Sequence, residues 1–513
     1  MTERLSLTRE LTEELCARVD VSPLPDADRT LLKACVRYCF ALGEAYNEKS
    51  HTIKKLLRII FGAKTEKADK ILPGFSKKPK KEKSPSRGHG RLGAVSYTGG
   101  KKVTVSHSAL KSGDCCPECQ KGKLYPTTPG VTIRIMGDAP LTATSWECEK
   151  LRCNACGEIF TAKLPDTAGQ EKYDAAAGAM ITLLKYGMGL PFHRLEALQD
   201  ALGVPLPAST QWDIVEKNAK PAHPAYKELM RQAAQGELIH LDDTTMRILA
   251  AVNDGERSGA FTTGMLSLTD EKKIALFFTG HKHAGENLTD LLAQRQKDLA
   301  PPIQMCDALS RNVSKEFATL LANCLSHGRR NFVDVAENFP DECGHVIELL
   351  AKVYTNDAHA KKEKLIREER LTYHQAESAP VMEELRAWMS AQFDEKKVEP
   401  NSGLGKAFTY MLKHWEPLTL FLRVPGAPLD NNLVEQCLKM AIRHRRNSLF
   451  YRTLHGAYIG DLFMSLIHTC RLSKVNPLHY LVALQQHSRE VFKDPSAWLP
   501  WNYETALTAA RPP

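Results

Sequence analysis

The stretch Glu237-Leu-Ile-His-Leu-Asp-Asp-Thr244 sets the terms for the rest of the chain. A short apolar run, Leu238, Ile239 and Leu241, ends in two adjacent carboxylates, Asp242 and Asp243. Thr244 and Thr245 follow, and then a second apolar run, Met246 to Val252. Short apolar runs bounded by polar turns read as buried strands. The segment is therefore expected to be a strand that carries an acid to its tip, with the second run as its hairpin partner. A carboxylate in an apolar sheet is costly unless a cation compensates it, so the remaining segments are read by whether they can complete such a site.

Two later stretches can. Pro302-Ile-Gln-Met-Cys-Asp307 is another short apolar strand ending in an acid. Pro428-Leu-Asp-Asn-Asn-Leu-Val-Glu435 opens a helix that runs on into Arg443-His-Arg-Arg446-Asn-Ser-Leu-Phe450. Asp242, Asp307 and Glu435 are the hard oxygen ligands that Mg²⁺ or Mn²⁺ prefers. A pair of such ions, about 3.5–4 Å apart, clamps the attacking and leaving oxygens of a phosphodiester displacement. Without metal, close carboxylates raise the pKa of at least one of them. Plainer roles exist for each residue. Asp242 or Asp243 could close the strand turn, and Glu435, three residues after Asn432, could complete a capping box. His327 could be a core imidazole, and Arg443, Arg445 and Arg446 a solvated helix face.

Before this region the chain reads as a series of modules. Residues 8–70 carry helical stripes, first Leu31, Leu32, Cys35, Val36 and Cys39, then Ile53, Leu56, Leu57, Ile60 and Phe61. This pattern suits two packed helices or, with Lys54, Lys55, Arg58, Lys64 and Lys67 clustered beside the stripe, a self-association or DNA-end-binding module. Between Lys77 and Lys102 nine Lys or Arg stand against one acid, Glu82, which concentrates much of the formal charge of +9 in one segment. That segment is too rich in Pro, Gly and charge to bury a core, and it suits phosphate contacts. Cys116-Pro-Glu-Cys119 and Cys153-Asn-Ala-Cys156 then supply the four thiolates of a structural zinc ribbon. Further on, Leu195, Leu198 and Leu202 form a helical face that ends at Gly203-Val-Pro-Leu-Pro207. A second helix, with Ser209 or Thr210 as its cap, then passes through Trp212, Ile214 and Val215. The outline is that of a helix-turn-helix, and equally of an ordinary helical hairpin.

Past Asp242, strands are expected over 260–268 and 273–278, and a helix over 286–297. A helix containing Phe317, Leu320, Leu321 and Cys324 is expected to lead into Ser326-His-Gly-Arg-Arg330. A charged helical insertion follows over 345–423, then an apolar helix over 458–472 and an uninformative tail.

These motifs together resemble the transposases of insertion sequence family 66. Phe61-Gly-Ala-Lys-Thr-Glu-Lys67, Gly88-His-Gly-Arg91 and Gly113-Asp-Cys-Cys-Pro-Glu-Cys119 are similar to the family's N-terminal segment, linker and zinc entry. His240-Leu-Asp-Asp-Thr244 resembles a family motif of His, any residue, Asp, Glu, Thr, with Asp243 in the place of the Glu. Cys324, His327, Arg329, Arg330 and Phe332, then Asp430-Asn-Asn-Leu-Val-Glu435 with Arg446-Asn447 and Leu449-Phe450, continue the match. Leu309 stands where the family has Tyr, and Gln436 where it has Arg.

The resemblance implies a multidomain α+β protein whose α/β ribonuclease-H-like core uses Asp242, Asp307 and Glu435 on two Mg²⁺ (or Mn²⁺) ions. It implies that water cuts the element end and that the freed 3′-hydroxyl attacks target DNA. His327, Arg329, Arg330, Arg443, Arg445 and Arg446 would contact phosphates. The expected domains are 1–72 helical, with a coiled coil or oligomerisation role, 73–107 basic linker and 108–164 zinc ribbon. They continue with 165–235 helix-turn-helix-like, 236–475 catalytic and 476–513 tail. Double-stranded DNA is the expected partner, bound by a homo-oligomer that accessory proteins could assist. A nuclease of the same fold and an inert zinc-ribbon DNA-binding protein are the alternatives.

No apolar run approaches the roughly 20 residues a membrane helix needs, and the polar start, Met1-Thr-Glu-Arg, does not read as a signal peptide. A cytoplasmic, nucleoid-associated protein is expected, with its 14 cysteines as thiols or metal ligands rather than disulfides.

Overall fold

The computed structural model describes residues 9–40, 111–115, 117, 119–125, 140–152, 159–163, 165, 171–250, 259–269 and 271–510. The chain divides into two compact units, residues 77–142 and the remainder. In the smaller unit, Cys115 bridges Lys123 antiparallel, and Gly113 N–H donates to Leu124 O (2.9 Å). In the larger unit, helix α1 (Arg9–Asp20) is followed by helical residues 26–40. The apolar stripe expected there faces outward, with Leu31 65% and Leu32 42% exposed. The second stripe, 53–61, and the basic linker lie outside the described residues. So do Cys116, Cys153 and Cys156 of the expected zinc ribbon. The antiparallel strands β1 (Lys150–Arg152) and β2 (Ile159–Thr161) flank the second cysteine pair.

The central sheet has strands β3 (Leu238–Met246), β4 (Ala260–Leu268), β5 (Lys273–Gly280), β6 (Ile303–Cys306) and β7 (Leu320–Asn323), in the order β5-β4-β3-β6-β7. The first three run antiparallel, while β6 lies parallel to β3 and β7 parallel to β6. Two expectations change here. The hairpin partner of β3 is β4, not the run 246–252, because β3 itself continues to Met246 and Ile248 bridges Tyr451 instead. The stretch around Leu320–Asn323, expected as a helix, is strand β7, because pairing with β6 overrides its weak helical spacing.

The helices that frame the sheet include, in chain order, α2 (Ala175–Thr182), α3 (Phe192–Ala201), α4 (Ala208–Ala233), α5 (Ala284–Leu292), α6 (Leu325–Val335) and α7 (Pro340–Lys362). Then come α8 (Arg367–Glu377), α9 (Ala379–Asp394), α10 (Gly403–Lys413), α11 (Asn432–Ser448), α12 (Leu454–Leu472) and α13 (Pro477–Gln486). The segment expected as a DNA-reading module puts α4 against β5 and α12. Its buried face includes Val215, Ala222, Tyr226 and Leu229. Neither Ser209 nor Thr210 caps α4. Pro207 holds the cap position with no side-chain bond, and buried Gln211 ties the turn by donating to Phe192 O (3.0 Å) and Leu206 O (2.9 Å). The tail is ordered as well, with Tyr480 Oη donating to Trp498 O (2.9 Å).

Strand β5 is an edge, and an edge strand leaves every second N–H unpaired. Helix α12 satisfies them at its own period. Thr279 N donates to Asp461 Oδ2 (2.6 Å), Phe277 N to Ser465 Oγ (3.0 Å) and Ala275 N to Thr469 Oγ1 (3.1 Å). Four residues of helix rise about 6 Å and two residues of strand about 6.6 Å, so the two rows stay in register.

The insertion is no loose appendage. Phe408, Met411, Trp415 and Phe421 share one core with Ile303 and Met305 of β6, Ala322 of β7 and Phe332 of α6. Among the described residues no helix is long and apolar enough to cross a membrane.

Candidate active site on the face of the central strands

Parallel pairing of β3 with β6 joins Leu238 to Ile303, Ile239 to Gln304 and His240 to Met305. Carried two residues further, that register sets Asp242 opposite Asp307. Alternation along a strand puts His240, Asp242 and Thr244 on one face, and Met305 and Asp307 share it. Neighbouring strands lie about 4.8 Å apart, so the two expected acids emerge close together by backbone geometry alone.

Helix α11 lies over that face and touches it at three levels. At its start Asn431, wholly buried, donates from Nδ2 to Leu241 O (2.9 Å). Its Oδ1 therefore accepts from His240 Nδ1 (3.0 Å), which makes Nδ1 the protonated nitrogen and leaves the buried Nε2 without a partner. One turn on, Glu435 projects from the first turn of α11. At the far end Arg445 Nη1 donates to Thr244 Oγ1 (2.8 Å) and Thr245 Oγ1 (2.8 Å). The capping-box role considered for Glu435 is not seen. Asn431 is the residue before the helix and its side chain makes no cap bond, while Asp430 Oδ1 accepts from Asn432 N (3.2 Å).

The electrostatics single out Asp242. Burial raises its pKa to about 7, and the charges of Asp307, Glu435 and Asp243 push in the same direction, while the Asp243 N–H it accepts (2.8 Å) pulls the other way. Asp307 is held by Asn312, whose Nδ2 donates to Oδ1, and the loop behind it is tied by Gln304 Nε2 to Asn312 O (2.7 Å). Asp243 points the other way. It accepts from Thr263 Oγ1 (2.6 Å), Ala284 N (3.0 Å) and His283 Nδ1 (3.3 Å), and so anchors the start of α5.

As the side chains stand, no three His, Cys, Asp or Glu groups among the described residues surround a common metal position. Uncompensated like charges repel, so an acid cluster gathers tightly only around a cation. The donor set fits a hard divalent ion. It is all carboxylate, on a matched strand pair and the helix above it, and burial together with the neighbouring acids disfavours the ionised form of Asp242, a cost that a bound cation would offset.

The other expected site residues separate. Arg443 and Arg446 are exposed on α11, and Lys439, absent from the sequence reading, joins them. The guanidinium of Arg445 is taken up at the end of β3. His327 is half-buried near the start of α6, with Nδ1 lacking a partner. Arg329 and Arg330 are half-buried and engaged, Arg329 near Tyr354 of α7. The sequence reading also missed Asn431 and Asn312 as tethers. The Asp-Asn-Asn run was the available signal for the first, and nothing marked the second.

A family model described as "Transposase IS66 family" matches residues 171–459, more than half of the chain and a range within which Asp242, Asp307 and Glu435 lie. The chain belongs to the IS66 transposase family. Three proteins of Sinorhizobium fredii (strain NBRC 101917 / NGR234), each named as uncharacterized, are similar. The protein y4jD is 31% identical over 38% of this chain and 39% of its own length. For y4hP the figures are 26%, 70% and 68%, and for y4qI 25%, 64% and 62%. The chain thus spans well under half of y4jD and just over three-fifths of y4qI.

Proposed function

We propose that this IS66 family member cuts the ends of an insertion element and joins them to target DNA. Asp242, Asp307 and Glu435 would hold two Mg²⁺ or Mn²⁺ ions on a ribonuclease-H-like core. The observation that carries the proposal is the β3–β6 register, which brings Asp242 and Asp307 side by side on the face covered by α11, whose first turn bears Glu435. Bound divalent ions would supply water activation and charge neutralisation at the scissile phosphate.

The chain itself contributes placement. Asn312 orients Asp307, and Asn431 fixes the start of the Glu435 helix to β3. Lys439, Arg443 and Arg446 follow Glu435 along the exposed face of α11 at three- and four-residue steps, each about 5–6 Å, a row suited to successive phosphates. His327, Arg329 and Arg330 would add charge stabilisation from α6. The outward stripe at Leu31 and Leu32 is a candidate self-association face.

The test is to incubate the full chain with a duplex bearing the element end, target DNA and Mn²⁺. Wild type gives nicked and joined products, and Asp242→Asn gives neither while still binding DNA. Nicks without joining make the protein a nuclease, and neither product from wild type makes it a DNA-binding protein. The structural zinc of Cys116, Cys119, Cys153 and Cys156 rests on CxxC spacing. Elemental analysis of wild type against Cys116→Ser shows a bound zinc lost, or refutes it.

A further inference from the structure

Glycine in the middle of a central strand weakens it, because it adds backbone entropy and packs nothing. Gly264 is such a residue, paired with Asp242 across the β3–β4 ladder. No unusual backbone angle calls for glycine at this position, since Gly264 is absent from the glycines with positive φ. Its neighbour above the sheet supplies the reason. A Cβ built on Gly264 would lie 2.8 Å from both Cγ and Cδ2 of Leu438, closer than real carbons approach. Leu438 is itself buried on α11, one turn beyond Glu435.

We infer that Gly264 is a positioning residue for the acid site: its bare Cα lets Leu438 sink onto β4, and this seats Glu435 over Asp242. The inference rests on the metal-site reading proposed above and deepens it. Asn431 holds α11 to β3 four residues before Glu435, and the Gly264–Leu438 contact holds it to β4 three residues after. The acid is therefore fixed from both sides. A methyl group at 264 overpacks the contact with buried Leu438, and overpacking is relieved by off-rotamer side chains and backbone shifts, here in α11. Glu435 moves with the helix, and displacements near 1 Å are enough to spoil a shared ligand geometry.

The test is a double-mutant set, Gly264→Ala, Leu438→Ala and both together, read by Mn²⁺ titration of the full chain without DNA and, separately, by melting temperature. Gly264→Ala is expected to weaken Mn²⁺ binding about tenfold, the scale typical for residues that orient metal ligands. Leu438→Ala alone leaves binding within about threefold of wild type, and in the double variant it restores most of the loss, because the shortened side chain vacates the overlap. A purely structural glycine would lower the melting temperature and leave the Mn²⁺ affinity unchanged, and that result overturns the inference. So does a double variant that binds as weakly as Gly264→Ala. Should Gly264→Ala not fold, Leu438→Phe enlarges the same contact from the helix side and must weaken Mn²⁺ binding likewise. Wild type that binds no Mn²⁺ overturns the metal reading and this inference with it. Wild type that binds while Gly264→Ala binds equally overturns this inference alone.

Discussion

Asp242 and Asp243 are covalent neighbours whose carboxylates leave β3 on opposite faces, one toward Glu435 and the other onto the start of α5. Their substitution should therefore have opposite effects. Asp243→Asn weakens the bonds to Ala284 N and Thr263 Oγ1 and should cost about 1–3 kcal/mol of stability. Asp242→Asn removes a buried, repelled charge and should stabilise the metal-free protein at pH 8 by on the order of 2 kcal/mol. Urea unfolding of the two variants checks this, and equal losses in both would remove the case for a strained acid at 242.

The edge of the sheet offers a second test. Ser465→Ala leaves Phe277 N–H buried with no acceptor. The expected loss is about 1–3 kcal/mol, measured by thermal or urea unfolding. A loss below about 0.5 kcal/mol would mean that another group closes the edge.

His444 sets a pH dependence. Its ring is buried and stacked between Tyr186 (5.8 Å) and Tyr451 (4.8 Å), and burial, with Lys185 nearby, lowers its pKa to about 3. Above pH 6.5 it is neutral both folded and unfolded. Between 6.5 and about 3 only the unfolded chain binds the proton, so this group removes about 1.4 kcal/mol of stability for each unit the pH falls. His444→Phe keeps the stack and lacks the proton, so its stability should decline less steeply than wild type between pH 6.5 and 5. Parallel curves would contradict the assignment.

The cations of α11 should divide by role. Alanine at Lys439, Arg443 or Arg446 should each reduce the salt dependence of DNA binding by about one released counterion and leave the fold intact. Arg445→Ala should instead destabilise the protein, because Thr244 and Thr245 lose their donor. Salt titration of DNA affinity, paired with melting temperatures, distinguishes the two classes.

Much of the local structure was readable from the residues. The apolar run before Asp242, the strands at 260–268 and 273–278 and the apolar helix of α12 all follow from period and composition, which depend only on near neighbours in the chain. The readings that failed were those that a distant partner decides. Leu320–Asn323 became a strand because β6 was there to pair with it, and Gln211 rather than Ser209 or Thr210 secured the turn into α4.

The sequence by itself determined that two of the acids follow short apolar strand-forming runs and the third lies at a helix start, because such runs and starts are written in a few adjacent residues. That Asp242 sits mid-strand rather than at the expected tip came from the pairing of β3 with β4 out to Met246. Only the tertiary structure decided which acid of the Asp242–Asp243 pair faces the site and which cation at the end of α11 is occupied. It alone also showed that Gly264 opens the space for Leu438. Each of these depends on the register between segments far apart in the chain, and register is fixed by packing rather than by any one segment.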